Sequence, residues 1–132
     1  DIHTQKQQPE EVCFEIIFSG KLNGVSQVKQ RITINKSGVT VNDHLEGDIE
    51  KIRAYYPMLV FDGEEKTTIA IDKNKQNLYL RDGGVRFEAV QSKKKEIKRA
   101  NKQHSFRNGV AEVAFFDVAG KEMTYRISAY KP

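Results

Sequence analysis

This sequence is poor in the residues that usually announce chemistry. Among 132 residues it has no tryptophan and one cysteine, Cys13. A single thiol closes no internal disulfide, so packing alone must hold the fold. Flanked by Val12 and Phe14, Cys13 reads as a small apolar side chain and not as a nucleophile. His3, His44 and His104 are scattered, with no HxH, HExxH or cysteine-paired pattern, so neither a metal site nor a cofactor is expected. No GxSxG elbow occurs, and Asp82-Gly83-Gly84 lacks the following helix that a phosphate loop needs. Long hydrophobic runs are missing too. The longest, residues 58–61, falls far short of the roughly 18 residues that cross a bilayer as a helix, so no membrane insertion is expected. The chain opens at Asp1 with neither Met nor a leader, and so reads as a piece of a longer protein.

What is present describes one wet-surfaced globular domain: 38% hydrophobic and 30% charged residues, with a net charge of +4 that permits an acidic partner without requiring one. Residues 1–10 are polar and read as a linker or frayed start, leaving 11–132 as a single domain. The stretch over residues 55–71 organises the rest. A large apolar run reaches Phe61, Asp62-Gly63 offers a turn, and Thr67-Thr68-Ile69-Ala70-Ile71 returns rich in β-branched residues. That pattern predicts a central hairpin, with Pro57 at a strand start, an edge or a bulge because it has no N–H for a ladder.

Further strands are expected over residues 12–18, 28–34, 39–41, 49–56, 78–80, 85–90, 110–118 and 123–129, with turns at Asn35-Lys36-Ser37-Gly38, residues 72–76, Asp82-Gly83-Gly84, Arg107-Asn108-Gly109 and Ala119-Gly120-Lys121. Residues 42–48 read as a polar crossing. Residues 92–103, with only Ile97 and Ala100 apolar, cannot hold a helix against a core and read as a solvated loop or frayed edge. The total is about ten strands joined by turns. It predicts an all-β fold, an antiparallel β-sandwich built from successive hairpins, with a closed barrel as the alternative. Its expected interior is Ile34, Val41, Leu59, Phe61, Ile69, Ile71, Leu80, Phe87, Val113, Phe115, Tyr125 and Ile127.

Candidate chemistry is thin. Asn42-Asp43-His44 with Glu46 and Asp48 is acidic but lacks the ligand spacing of a calcium loop, and reads as a solvated turn. Glu10-Glu11 and Glu64-Glu65 are paired carboxylates in polar segments, with nothing to raise a pKa for general-acid work. No catalytic residue is assigned. The one asymmetric feature is a basic tract. Lys93, Lys94, Lys95, Lys98, Arg99, Lys102 and Arg107 stand against Glu96 alone, a footprint for a polyanion such as an acidic polysaccharide. The plainer reading of the same tract is a solvated edge that deters pairing with other chains. Nucleic acid is disfavoured because Phe106 is the only aromatic nearby. An aromatic platform for sugar would have to come from Tyr55, Tyr56, Tyr79 or Tyr130, although tyrosines in strands are commonly half-buried packing.

Gly38-Val39-Thr40-Val41-Asn42-Asp43, followed by Arg53-Ala54-Tyr55-Tyr56-Pro57-Met58-Leu59-Val60-Phe61-Asp62-Gly63, resembles the C-terminal β-sandwich of bacterial heparinase II/III-like polysaccharide lyases and related six-hairpin (α/α-toroid) carbohydrate-active proteins. The resemblance covers residues 25–90. It implies a module packed on the catalytic domain of the same parent chain, with the chemistry housed elsewhere, and a periplasmic or extracellular location. No catalytic motif of that family maps onto this chain. Two other functions fit the sequence: a free-standing barrel for a small apolar ligand, or a stand-alone hydrolase or lyase using His44 or Asp62.

Overall fold

The computed structural model describes residues 2–8, 10–22, 24–90 and 95–131. They form β1 (Ile2–Gln8), β2 (Glu11–Leu22), β3 (Val25–Asn35), β4 (Gly38–Gly47), β5 (Lys51–Phe61), β6 (Ile69–Asp72), β7 (Asn77–Leu80), β8 (Gly84–Ala89), β9 (Lys95–Phe106), β10 (Gly109–Ala119) and β11 (Glu122–Tyr130). These eleven strands make two antiparallel sheets of very unequal width. The larger has eight strands in the order β1-β2-β3-β4-β11-β8-β7-β6, and the smaller has three, β5-β10-β9. The fold is therefore an open two-sheet sandwich and not the closed barrel that stood as its alternative.

Several turns fall where the sequence places them. Asn35 faces Gly38 across the two-residue turn Lys36-Ser37, and Phe106 faces Gly109 across Arg107-Asn108. Gly38 has φ +135°, and a Cβ there would lie 2.2 Å from the Ile127 carbonyl oxygen, so only glycine fits this close approach to β11. The expected hairpin over residues 55–71 does not form. β5 pairs with β10, and β6 pairs with β7 in the other sheet; a lone bridge, Phe61 to Lys66, joins the two arms. The Asp62 carboxylate accepts the N–H groups of Glu64 (2.9 Å) and Glu65 (2.8 Å), a local turn that sends the chain from one sheet into the other. Pro57 stands mid-strand, opposite Val113, yet on an edge strand of the smaller sheet, the place where a sheet tolerates a residue without an N–H.

Three polar segments turn out to be strands. Ile2–Gln8, expected as linker, pairs along β2. Residues 42–47, expected as a crossing, continue β4 between β3 and β11, because Val41, Asp43 and Leu45 keep one face and Asn42 and His44 the other. Residues 95–103, expected as loop or frayed edge, lie in β9, the outer strand beside β10. The backbone ladder offered by β10 orders this segment in spite of its polar composition.

The core lies between the smaller sheet and one half of the larger. Tyr56, Met58 and Val60 of β5 and Ala114, Phe116 and Val118 of β10 pack on Ile69, Leu78, Ala89 and Met123. Tyr56 is its hub, with ring centroids 4.3 Å from Phe87, 5.2 Å from Phe116 and 5.4 Å from Tyr125. Of the expected interior, Val41, Ile69 and Phe115 are buried, and Ile71, Leu80, Phe87 and Tyr125 are partly buried against the core. Leu59 and Ile34 are exposed, at 49% and 43%. In β5 the inward parity is Tyr56-Met58-Val60, one residue out of step with Leu59 and Phe61. Apolar residues on both faces of that strand hide the parity.

Candidate functional site

The basic tract does not gather into one patch among the described side chains. Lys98 is exposed on β9, opposite Phe115 of β10, and Arg107 is exposed in the β9–β10 turn at the far end of the sheet. Lys95, Arg99 and Lys102 have their backbones in β9, with Lys95 opposite Val118 and Arg99 opposite Ala114. Lys93 and Lys94 lie outside the described residues.

The two ends differ electrostatically. Around Lys98 the outer face of the smaller sheet carries a charge cluster on Asp117, a residue only 6% exposed. Arg53 grips its carboxylate with two hydrogen bonds, at 2.7 and 2.9 Å, and Lys51 stands 3.7 Å away. This arrangement follows from register: Arg53 lies directly opposite Asp117 across the β5–β10 ladder. The Arg53 guanidinium holds the Asp117 carboxyl below the usual carboxylate range against the opposing effect of burial, with smaller help from Lys51 and Lys98. Arg53 also lies over the Phe115 ring, 4.1 Å from its centroid, and Tyr55 packs beside that ring at 5.8 Å. Sequence reading missed Asp117 because its partner is 64 residues away. Arg107 instead lines an open cleft of about 680 Å³ together with Asp62 and Glu64. Carboxylates there disfavour an anionic ligand.

Of the four candidate platform tyrosines, Tyr55 is 58% exposed on the outer face of β5 and Tyr56 is buried. Tyr79 and Tyr130 stack on each other, with centroids 4.8 Å apart. His44 takes a place in the β4 ladder opposite Glu122 and Lys29, and Asp62 is committed to its turn, where the Glu65 and Glu64 amides hold its carboxyl below the ordinary value. A cleft of about 640 Å³ beside that turn is lined by Phe61, Asp62, Glu65, Lys66 and Asp82 among others. Among the described residues no three His, Cys, Asp or Glu side chains converge as metal ligands, and no helix is long and apolar enough to cross a membrane.

One further surface emerges from the register. In antiparallel sheets directly opposed residues share a face. The row Phe14, Ile32, Val41, Tyr125, Ala89 therefore crosses five strands on one face, and the row Val12, Ile34, Val39, Ile127, Phe87, Leu78, Ile71 crosses seven on the same face. Both rows start on β2 and end in the core. The opposite face reads Cys13, Thr33, Thr40, Arg126, Glu88 and Glu15, Arg31, Asn42, Thr124, which is polar.

No family profile and no curated protein matches this sequence. Its fold does recur in solved structures. Heparan sulfate lyase HepC from Pedobacter heparinus contains it with a TM-score of 0.75 and 12% identity, over 99% of this chain and 22% of that one. A HepC mutant from the same organism gives 0.74 and 13% over the same shares. This chain has the fold of a domain found within a polysaccharide lyase. It spans under a quarter of that enzyme's length.

Proposed function

We propose that this chain is a non-catalytic accessory β-sandwich of a larger polysaccharide-processing protein, exported to the periplasm or the cell exterior, and that it packs on the catalytic domain of the same polypeptide. The observation that carries this reading is the HepC likeness, in which nearly all of this chain corresponds to a minor part of a lyase chain. A two-sheet module dominated by structural pairings suits a role in supporting a cleft formed elsewhere. Within this reading, the basic tract around β9 contacts anionic glycan, weakly and through charge.

Two measurements test it. The isolated chain is expected to leave heparan sulfate and related uronic-acid polysaccharides uncut, while a parent polypeptide lacking residues 1–132 loses activity. Depolymerisation by the isolated chain overturns the accessory role and revives the stand-alone enzyme. Calorimetric titration with uronic-acid oligosaccharides at low salt should show weak, salt-sensitive binding that falls on Lys98→Glu; no heat at low salt leaves the module a purely structural part.

A further inference from the structure

The smaller sheet is too narrow to cover the larger one. At about 4.8 Å per strand, three strands span roughly 14 Å and eight span roughly 38 Å. The buried cluster accordingly draws on β5 and β10 from one side and on β6, β7, β8 and β11 from the other, and among the described side chains it takes nothing from β1, β2 or β3. Yet the apolar face does not stop where the cover stops. The rows that bury Ala89, Leu78 and Phe87 continue across β4 to Ile32 and Ile34 on β3 and to Phe14 and Val12 on β2. Phe18, Ile34 and Ile2, all on this face by register, are 56%, 43% and 70% exposed. Among the described side chains of β1–β3 the only buried one is Glu15, on the opposite, polar face.

We propose that this uncovered apolar wing, the face of β2 and β3 that carries Phe14, Phe18, Ile32 and Ile34, is where the module docks against an apolar surface of a neighbouring domain of its own parent polypeptide. The inference rests on the accessory-module reading and adds the face through which that module attaches. Its occupant is indicated by two facts. The wing continues the core with one self-satisfied polar pair in its path, so a partner there extends an existing interface and does not begin a new one. The same fold, moreover, is met within a chain of which it makes up 22%. The wing also has a suitable size. Together with β1 beside them, three strands about eight residues long, at about 3.3 Å per residue, give a footprint of roughly 350–400 Å². That footprint matches one side of an inter-domain contact burying about 600–1,500 Å² in total. The interruption is small: Gln30 and Asp43 lie on this face and satisfy each other through a 2.8 Å hydrogen bond.

Cysteine accessibility in the full parent polypeptide tests the inference. In a Cys13→Ser background, the variants Phe18→Cys and Ile34→Cys report the wing, Tyr55→Cys and Leu59→Cys the outer face of the smaller sheet, and Arg31→Cys the polar face. All five positions are exposed in the module, so each variant leaves its core intact. Maleimide labelling of the two wing thiols should be at least about tenfold slower than that of Arg31→Cys in the parent, and should recover in the isolated chain. Wing thiols labelling as fast as the control while Tyr55→Cys or Leu59→Cys is protected would overturn the wing and leave the accessory reading standing. All positions labelling alike would remove both. Protection that appears in the isolated chain as its concentration rises would assign the wing to a second copy of the module, and that also overturns the proposal.

Discussion

The two halves of the eight-stranded sheet show one pattern in two states of burial. In the half under the smaller sheet, Ile69 and Leu78 are fully buried and Phe87 packs against the core. In the other half, Phe14 and Ile32 stand in the same cross-strand row as Ala89 yet remain partly exposed, and Phe18 is mostly so. Alternation sets which face of a strand is apolar; what covers that face is decided by the width of the opposing layer. The comparison breaks most sharply under paired truncations. Phe116→Ala empties a site with no exposure and should cost the chain about 3–5 kcal/mol in urea unfolding. Phe14→Ala on the wing should cost about 1 kcal/mol or less, since only part of its area is removed from water. Equal losses would mean that the wing is already packed in the isolated chain.

The seam between the halves gives the next largest effect. Gly38 lies at the β3–β4 turn with positive φ, hard against β11. Gly38→Ala should cost about 2–3 kcal/mol, from backbone strain plus a clash that only movement of β11 can relieve. Because β4 and β11 join the two halves, the loss should appear as one cooperative transition. Two separate transitions would show that wing and core fold independently.

Charge separates the regions in sign as well as size. Asp117 has its carboxyl lowered by Arg53, so its contribution is present above the unfolded value near 3.9 and is lost as pH falls through the lower folded value. Asp117→Asn should cost about 1–2 kcal/mol at neutral pH and converge with the wild type in acid. Asp43, at the lip of the wing, has its carboxyl raised, chiefly by burial, with the Gln30 hydrogen bond opposing. Its contribution has the opposite sense, full below the unfolded value and lost as pH rises through the folded one. Asp43→Asn should therefore be neutral or slightly stabilising at neutral pH. A shared direction of pH dependence in the two variants would contradict the burial assigned to either carboxyl.

Much of this arrangement was legible in the residues. Alternation over residues 28–34 and 123–129 and the glycine turns give antiparallel strands in stacked sheets. The identity of strand partners was not legible. Asp62-Gly63 promises a hairpin, yet three further residues before Thr67 let the two arms part into different sheets. Likewise β9 is polar throughout most of its length and owes its order to the ladder on β10, which a local reading does not contain. The parity of β5 failed because residues 55–61 are apolar on both faces. The Asp117 cluster depended on a register between strands far apart in sequence, and the open wing on the count of strands in the other layer.

The gentlest probe of the comparison is the tyrosine at its centre. Tyr125 lies between Val41 and Ala89 in the row that ends at Phe14, and its hydroxyl is pushed up to about 12, first by burial and then by the nearby Asp43 charge. Tyr56 is raised as well, by the same burial, with Tyr125 and Asp43 adding to it. A raised folded value means that both phenols stabilise the fold fully below the unfolded value near 10, and that the stabilisation is lost as pH climbs through the folded ones. Phenolate absorbance should show Tyr125 ionising only above the ordinary phenol value near 10, near the pH at which the fold gives way. Asp43→Asn removes the second cause and should draw the Tyr125 midpoint down by a fraction of a unit without touching the first. A Tyr125 that ionises at the ordinary phenol value near 10 would show the row to be wet at its midpoint, and an apolar face already interrupted there could not carry the core out onto the wing.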